Sequence, residues 1–174
     1  MSGDSKNLKN LSDYRGEDEI ISSYEMFEIV KEREAETPAL QVKSGIPGLD
    51  KWTDGFRGGE LITISGPTGQ GKTLSLQTLT DRFSGKYQEF PLWFTFEMPP
   101  ASFLRCFPKL PYFYIPKKHR PYNWDWLVAR CHEHEQKNAG KIIMIDHLHF
   151  LIDFLRNSNP SIEIGQVVRK LKNL

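Results

Sequence analysis

Disulfides cannot hold this chain together: it has only two cysteines in 174 residues, Cys106 and Cys131, too few for a covalent framework. It also lacks net charge. Its 23 Lys and Arg against 22 Asp and Glu leave +1 at neutral pH, so any affinity for a polyanion has to come from local placement of basic side chains. No apolar run approaches the roughly 20 residues that cross a bilayer, and the polar stretch Met1 to Asn10 lacks a signal-peptide core. The reading is an intracellular, cytoplasmic protein with no membrane partner. At 39% hydrophobic and 26% charged the composition is globular, and the length suits one domain with a sizeable core.

The organising stretch is Gly66-Pro67-Thr68-Gly69-Gln70-Gly71-Lys72-Thr73, set between the apolar run Leu61 to Ile64 and the helix-like Leu74 to Leu79. Read as strand, glycine loop and helix, this is a P-loop. Its glycines let the backbone turn tightly and aim successive N–H groups inward at the start of a helix, which makes an anion cradle. Lys72 would reach the β and γ phosphates of a nucleotide, and the Thr73 hydroxyl would ligate the Mg2+ that bridges them.

Two acidic strand ends accompany it. Pro91 to Glu97 is a short apolar run between prolines, a buried parallel strand with Glu97 at its carboxyl end. Ligands bind outside such ends, and a carboxylate there can orient and deprotonate the water that attacks a γ phosphate. A glutamate merely facing solvent is the competing reading. Lys141 to Asp146 is a second apolar run ending in an acid, the form of a Walker B strand, which makes Asp146 the Mg2+ carboxylate opposite Thr73.

The remaining chain reads as scaffold. Residues 1–22 form a flexible polar arm. Residues 23–43 hold an amphipathic linker helix, Ser23 to Glu36, with Met26, Phe27 and Val30 on one face, and a connector after Pro38. A helical turn is expected at Leu49 to Trp52, with Leu49 a core contact. A helix is expected over Ala101 to Leu110 with Phe103, Leu104 and Phe107 inward, and a short strand over Tyr112 to Ile115. The basic loop Pro116 to Tyr122 is read as solvated. Asn123 caps a helix that buries Cys131 and ends at Gly140. Cys131-His-Glu-His134 offers metal-ligand types at the wrong spacing, so a buried thiol with solvated histidines is expected. Pro160, capped by Asn159, starts a last amphipathic helix running to Leu174.

Two segments carry a family resemblance. Ser44-Gly-Ile-Pro-Gly-Leu-Asp50, then Gly55-Phe-Arg-Gly-Gly-Glu-Leu61, strand and P-loop resemble the opening of RecA-like ATPase domains. Phe94-Thr-Phe-Glu97-Met98 is similar to the Phe-Ser-Leu-Glu-Met strand end of DnaB-type hexameric replicative helicases, in which that glutamate is the catalytic base. His147-Leu-His149 follows Asp146 where those helicases have Asp-Tyr-Leu-Gln-Leu. His149 thus replaces their Gln, either as a polar link toward DNA or as a packed neutral imidazole, the second being preferred.

The resemblance implies an α/β RecA-like P-loop NTPase over residues 44–174: a mainly parallel sheet with helices on both faces, truncated at its C-terminal side. It implies ATP and Mg2+ as cofactors, catalysis by Glu97 and Lys72, movement on single-stranded DNA, a homo-oligomeric (hexameric) ring, and primase or other replisome partners. Arg156 would lie near the DNA-facing loop. A γ-phosphate sensor and an arginine finger are missing from these residues, so the isolated chain is expected to turn over weakly or not at all. Alternatives are a RecA- or clock-type ATPase, a non-hydrolysing nucleotide-gated oligomerisation module, and a small-molecule kinase.

Overall fold

The computed structural model describes residue 16 and residues 19–36, 41–151 and 160–172. Most of the expected arm, together with Pro38, Arg156, Asn159 and Leu174, lies outside the described residues. The chain divides into two compact units, Met1–Ala39 and Leu40–Leu174. The first contains helix α1 (Ser23–Glu36), which starts on a reciprocal cap. Ser22 N–H donates to Glu25 Oε2 at 2.8 Å, and Glu25 N–H donates back to Ser22 Oγ at 3.2 Å. Met26, Phe27 and Val30 are exposed on it.

In the second unit, β1 (Gln41–Val42) pairs antiparallel with β2 (Phe56–Arg57), and α2 (Pro47–Thr53) fills the connection. Asp50 ties this segment down by accepting from Ser44 N–H at 2.7 Å and Gly45 N–H at 3.1 Å. No residue of α2 is buried. Leu49, expected in the core, is only half-buried.

The centre is a parallel pair, β3 (Leu92–Thr95) and β4 (Ile143–Asp146), in the register Leu92↔Ile143 through Thr95↔Asp146. Every residue of β3 is buried, as a strand covered on both faces requires. Alternation along the strands divides the core in two. On one face Trp93 and Met144 pack with Val42, Leu79, Phe83 and Phe103. On the other, Leu92 and Phe94 pack with Leu127 and Cys131. Helix α3 (Lys72–Arg82) therefore contributes to one layer and helix α5 (Trp124–Asn138) to the opposite one. This is the α/β arrangement expected, with a smaller sheet. Tyr112 to Ile115 supplies a single parallel bridge, Tyr114 to Leu92, in place of a strand.

Leu61 to Ile64 departs from expectation. It makes no strand pairing, and Leu61, Ile62 and Ile64 are 38%, 50% and 40% exposed. A strand exists only through a neighbour's ladder, and among the described residues none lies beside this run. Helix α4 (Pro100–Arg105) is also shorter than expected: it buries Phe103 and stops before Pro108, leaving Leu110 exposed. Helix α6 (Pro160–Lys172) buries Val167.

Helix α5 is capped as expected, with Asn123 Oδ1 accepting from Trp126 N–H at 2.9 Å. Its end corrects two expectations. The left-handed residue that closes it is Ala139 (φ 50°), one position before Gly140. His134, expected in solvent, is 2% exposed because Leu127, Cys131 and His134 recur at i, i+4 and i+7 on the inward face. Its ring meets Tyr114 edge-on at 4.9 Å, and Asn138 Nδ2 lies 3.3 Å from its Nδ1. Burial pushes the Cys131 thiol up to about 12, so it packs as an inert apolar group.

Burial also holds His134 and His119 below the ordinary imidazole value. The unfolded chain takes up protons at both as pH falls through about 6.5, while the folded chain resists them. Stability should therefore decline from pH 7 toward pH 5, as read by urea unfolding. A His119→Phe chain, with a phenyl ring between Phe96 and Trp126, should decline less steeply. An unchanged slope would remove His119 from the account.

Candidate active site: a P-loop against two acidic strand ends

Because β3 and β4 run parallel and in register, their carboxyl ends lie at one level. Phe96 N–H donates to the Asp146 carbonyl at 2.8 Å, and Glu97 leaves the end of β3 directly beside Asp146. Asp146 is 4% exposed, and the Glu97 side chain is half-exposed.

The P-loop reaches this level through α3. Trp93 Nε1–H donates to Thr80 Oγ1 at 2.9 Å, and the Thr80 hydroxyl lies 2.9 Å from the Leu76 carbonyl, which sets the rotation of the helix on the sheet. Thr73 is seven residues, two turns, before Thr80, so it points to the same side. The Thr73 hydroxyl donates to Asp146 Oδ2 at 2.7 Å, across 73 positions of sequence. Gly69 and Gly71 have φ of 81° and 80°, values that side-chain-bearing residues avoid, and Gly71 starts the helix. A Cβ at Gly66, Gly69 or Gly71 would meet nothing within 4 Å, so the loop is an open cradle. Lys72 Nζ lies across it, donating to the carbonyls of Gly66 and Pro67 at 3.0 and 2.9 Å. Pro67, Thr68 and Gln70 are exposed around the rim.

Four of the expected site residues are thus close together: Lys72 and Thr73 from the loop, Asp146 and Glu97 from the strand ends. His149 is exposed, contrary to the packed imidazole expected. The 3-10 turn Leu148–Leu151 carries it outward, where its ring meets His147 at 4.9 Å. Arg156 is outside the described residues. One residue was missed: His147, whose Nδ1 lies 3.2 Å from Glu97 Oε2. The signal was in the sequence, since the helicase segment has Tyr where this chain has His147.

The residues fit a magnesium nucleotide. The glycine cradle is open, a helix of 11 residues starts beneath it, and a buried carboxylate is hydrogen-bonded to the hydroxyl that follows the P-loop lysine. Asp146 and Thr73 would hold the ion. Among the described residues no helix is long and apolar enough to cross a membrane.

Residues 42–111 match the family model described as ATPase: KaiC. No curated protein matches the chain. The matched stretch includes the P-loop, β3 and Glu97 and stops short of Asp146, and it supports a RecA-like P-loop ATPase without singling out a DnaB-type helicase.

Proposed function

We propose that this chain binds Mg-ATP at the P-loop, hydrolyses it with Glu97 as the base, and uses hydrolysis to move on single-stranded DNA as part of a homo-oligomeric, DnaB-like ring. The observation that supports the nucleotide chemistry is the 2.7 Å bond from Thr73 to Asp146, which brings together the two groups that would hold magnesium. Lys72 and the loop amides neutralise the β and γ oxygens, while Glu97 orients and deprotonates the attacking water. Bound magnesium supplies charge neutralisation between the phosphates. The DNA track rests on the likeness of the Glu97 strand end to that of DnaB-type helicases, and primase or other replisome proteins are its expected partners.

A second reading is a clock-type or recombination-type ATPase that works without unwinding DNA; the matched family, described as ATPase: KaiC, is equally compatible with it. The separating experiment measures ATPase with and without single-stranded DNA, together with opening of a forked duplex. Stimulation by DNA and strand separation support the helicase. Hydrolysis indifferent to DNA supports the second reading. Calorimetry showing no Mg-ATP association would remove both.

A further inference from the structure

Asp146 is a nearly fully buried carboxylate whose side-chain partner is a neutral hydroxyl, and among the described residues no lysine or arginine pairs with it. A buried carboxylate in that position calls for a cation. Two further donors stand beside it. One ligand atom each from Asp146, Glu97 and His147 lie within 4.8 Å of one another, and the His147 Nδ1 to Glu97 Oε2 separation is 3.2 Å. That separation is close to the spacing of two donors that each sit about 2.1 Å from one ion. His147 and Glu97 are partly exposed, so an ion can enter and the side chains can close on it.

We propose that Glu97, Asp146 and His147 form a divalent-cation site that fills without nucleotide and prefers a later first-row transition ion, such as Zn2+ or Co2+, over Mg2+. The preference follows from the donor set. Magnesium is hard, dehydrates reluctantly and takes oxygen ligands, whereas an imidazole nitrogen suits the later ions. Two carboxylates match the charge of one divalent ion, and His147 would bind it through Nδ1 as the neutral imidazole that carries its proton on Nε2. Such an ion occupies the carboxylate assigned above as the base, so it should inhibit hydrolysis. That consequence rests on the proposed function, whereas the binding itself does not.

The test is titration of the nucleotide-free 174-residue chain with CoCl2, read by visible absorption, and with ZnCl2 and MgCl2 by calorimetry. One equivalent of Co2+ should bind with nitrogen and oxygen ligation, at least about tenfold more tightly than Mg2+. His147→Ala and, separately, Glu97→Gln should each weaken it by about tenfold or more, with His147→Gln as a second variant and circular dichroism confirming the fold. A Co2+ spectrum dominated by thiolate charge transfer, pointing to exposed Cys106, would overturn the site, as would affinity unchanged by His147→Ala and His147→Gln. Loss of the transition-ion site with Mg-ATP binding intact defeats this inference alone, and the reverse result defeats the ATPase reading alone.

Discussion

Lys72→Ala is expected to weaken Mg-ATP binding by about 10- to 100-fold or more, whereas Glu97→Gln should leave affinity nearly unchanged and lower turnover by about 10²- to 10⁴-fold. The two substitutions separate because their side chains do different work. Lys72 lies across the cradle, donating to the carbonyls of Gly66 and Pro67, and must exchange those bonds for charge-assisted ones to phosphate. Removing it deletes ground-state binding. Glu97 leaves the end of β3 level with Asp146 and in the proposed role acts on water, so the isosteric amide would keep the shape of the site and lose its basicity. Calorimetry with Mg-ATP reads the first effect, and single-turnover hydrolysis in the presence of single-stranded DNA reads the second. A Glu97→Gln chain that hydrolyses at the wild-type rate would remove Glu97 as the base. A wild-type chain that binds Mg-ATP and never hydrolyses it, with single-stranded DNA present, would support a nucleotide-gated module over a hydrolase.

Gly140→Ala should destabilise the chain by about 2–3 kcal/mol or more, a fall of about 5–10 °C in Tm at this length. A Cβ at Gly140 would overlap the imidazole of His134. Overlap with a flexible side-chain tip costs little, but this ring is buried and held by Tyr114 and Asn138, and close-packed interiors leave a displaced ring little room. The clash predicts strong coupling: in a His134→Ala background the same Gly140→Ala change should cost less than about 1 kcal/mol. Equal costs in both backgrounds would place the effect in the backbone and not at the ring. The neighbouring position should respond in the opposite direction. Ala139 holds φ 50°, a conformation that suits glycine, so Ala139→Gly should stabilise by about 0.5–1 kcal/mol.

These two positions show how far local reading reaches. A glycine after a helical pattern signals a stop, and the helix does end there, but the chain uses Ala139 for the left-handed turn and reserves Gly140 for close approach to a ring. Nothing local distinguishes those uses, because the ring is pinned by Tyr114, a residue from a different segment. His134 was misplaced for a related reason. Its two neighbours along the chain are polar, while its neighbours at helical spacing, Leu127 and Cys131, carry it inward.

The P-loop, the two apolar runs that end in acids, and the cap at Asn123 were readable in order along the chain, because each depends on residues a few positions apart: glycines that permit a turn, an unbroken apolar run that suits a strand buried on both faces, a side-chain oxygen that accepts the first free amide. The motifs already set Asp146 opposite Thr73; tertiary structure alone decided that the two bond directly, that His147 meets Glu97, and that Leu61 to Ile64 is left without a ladder. Those outcomes depend on which elements become neighbours in space. A contact across 73 residues is set by how α3 and β4 dock on β3, and a strand forms only where another lies beside it to share its hydrogen bonds.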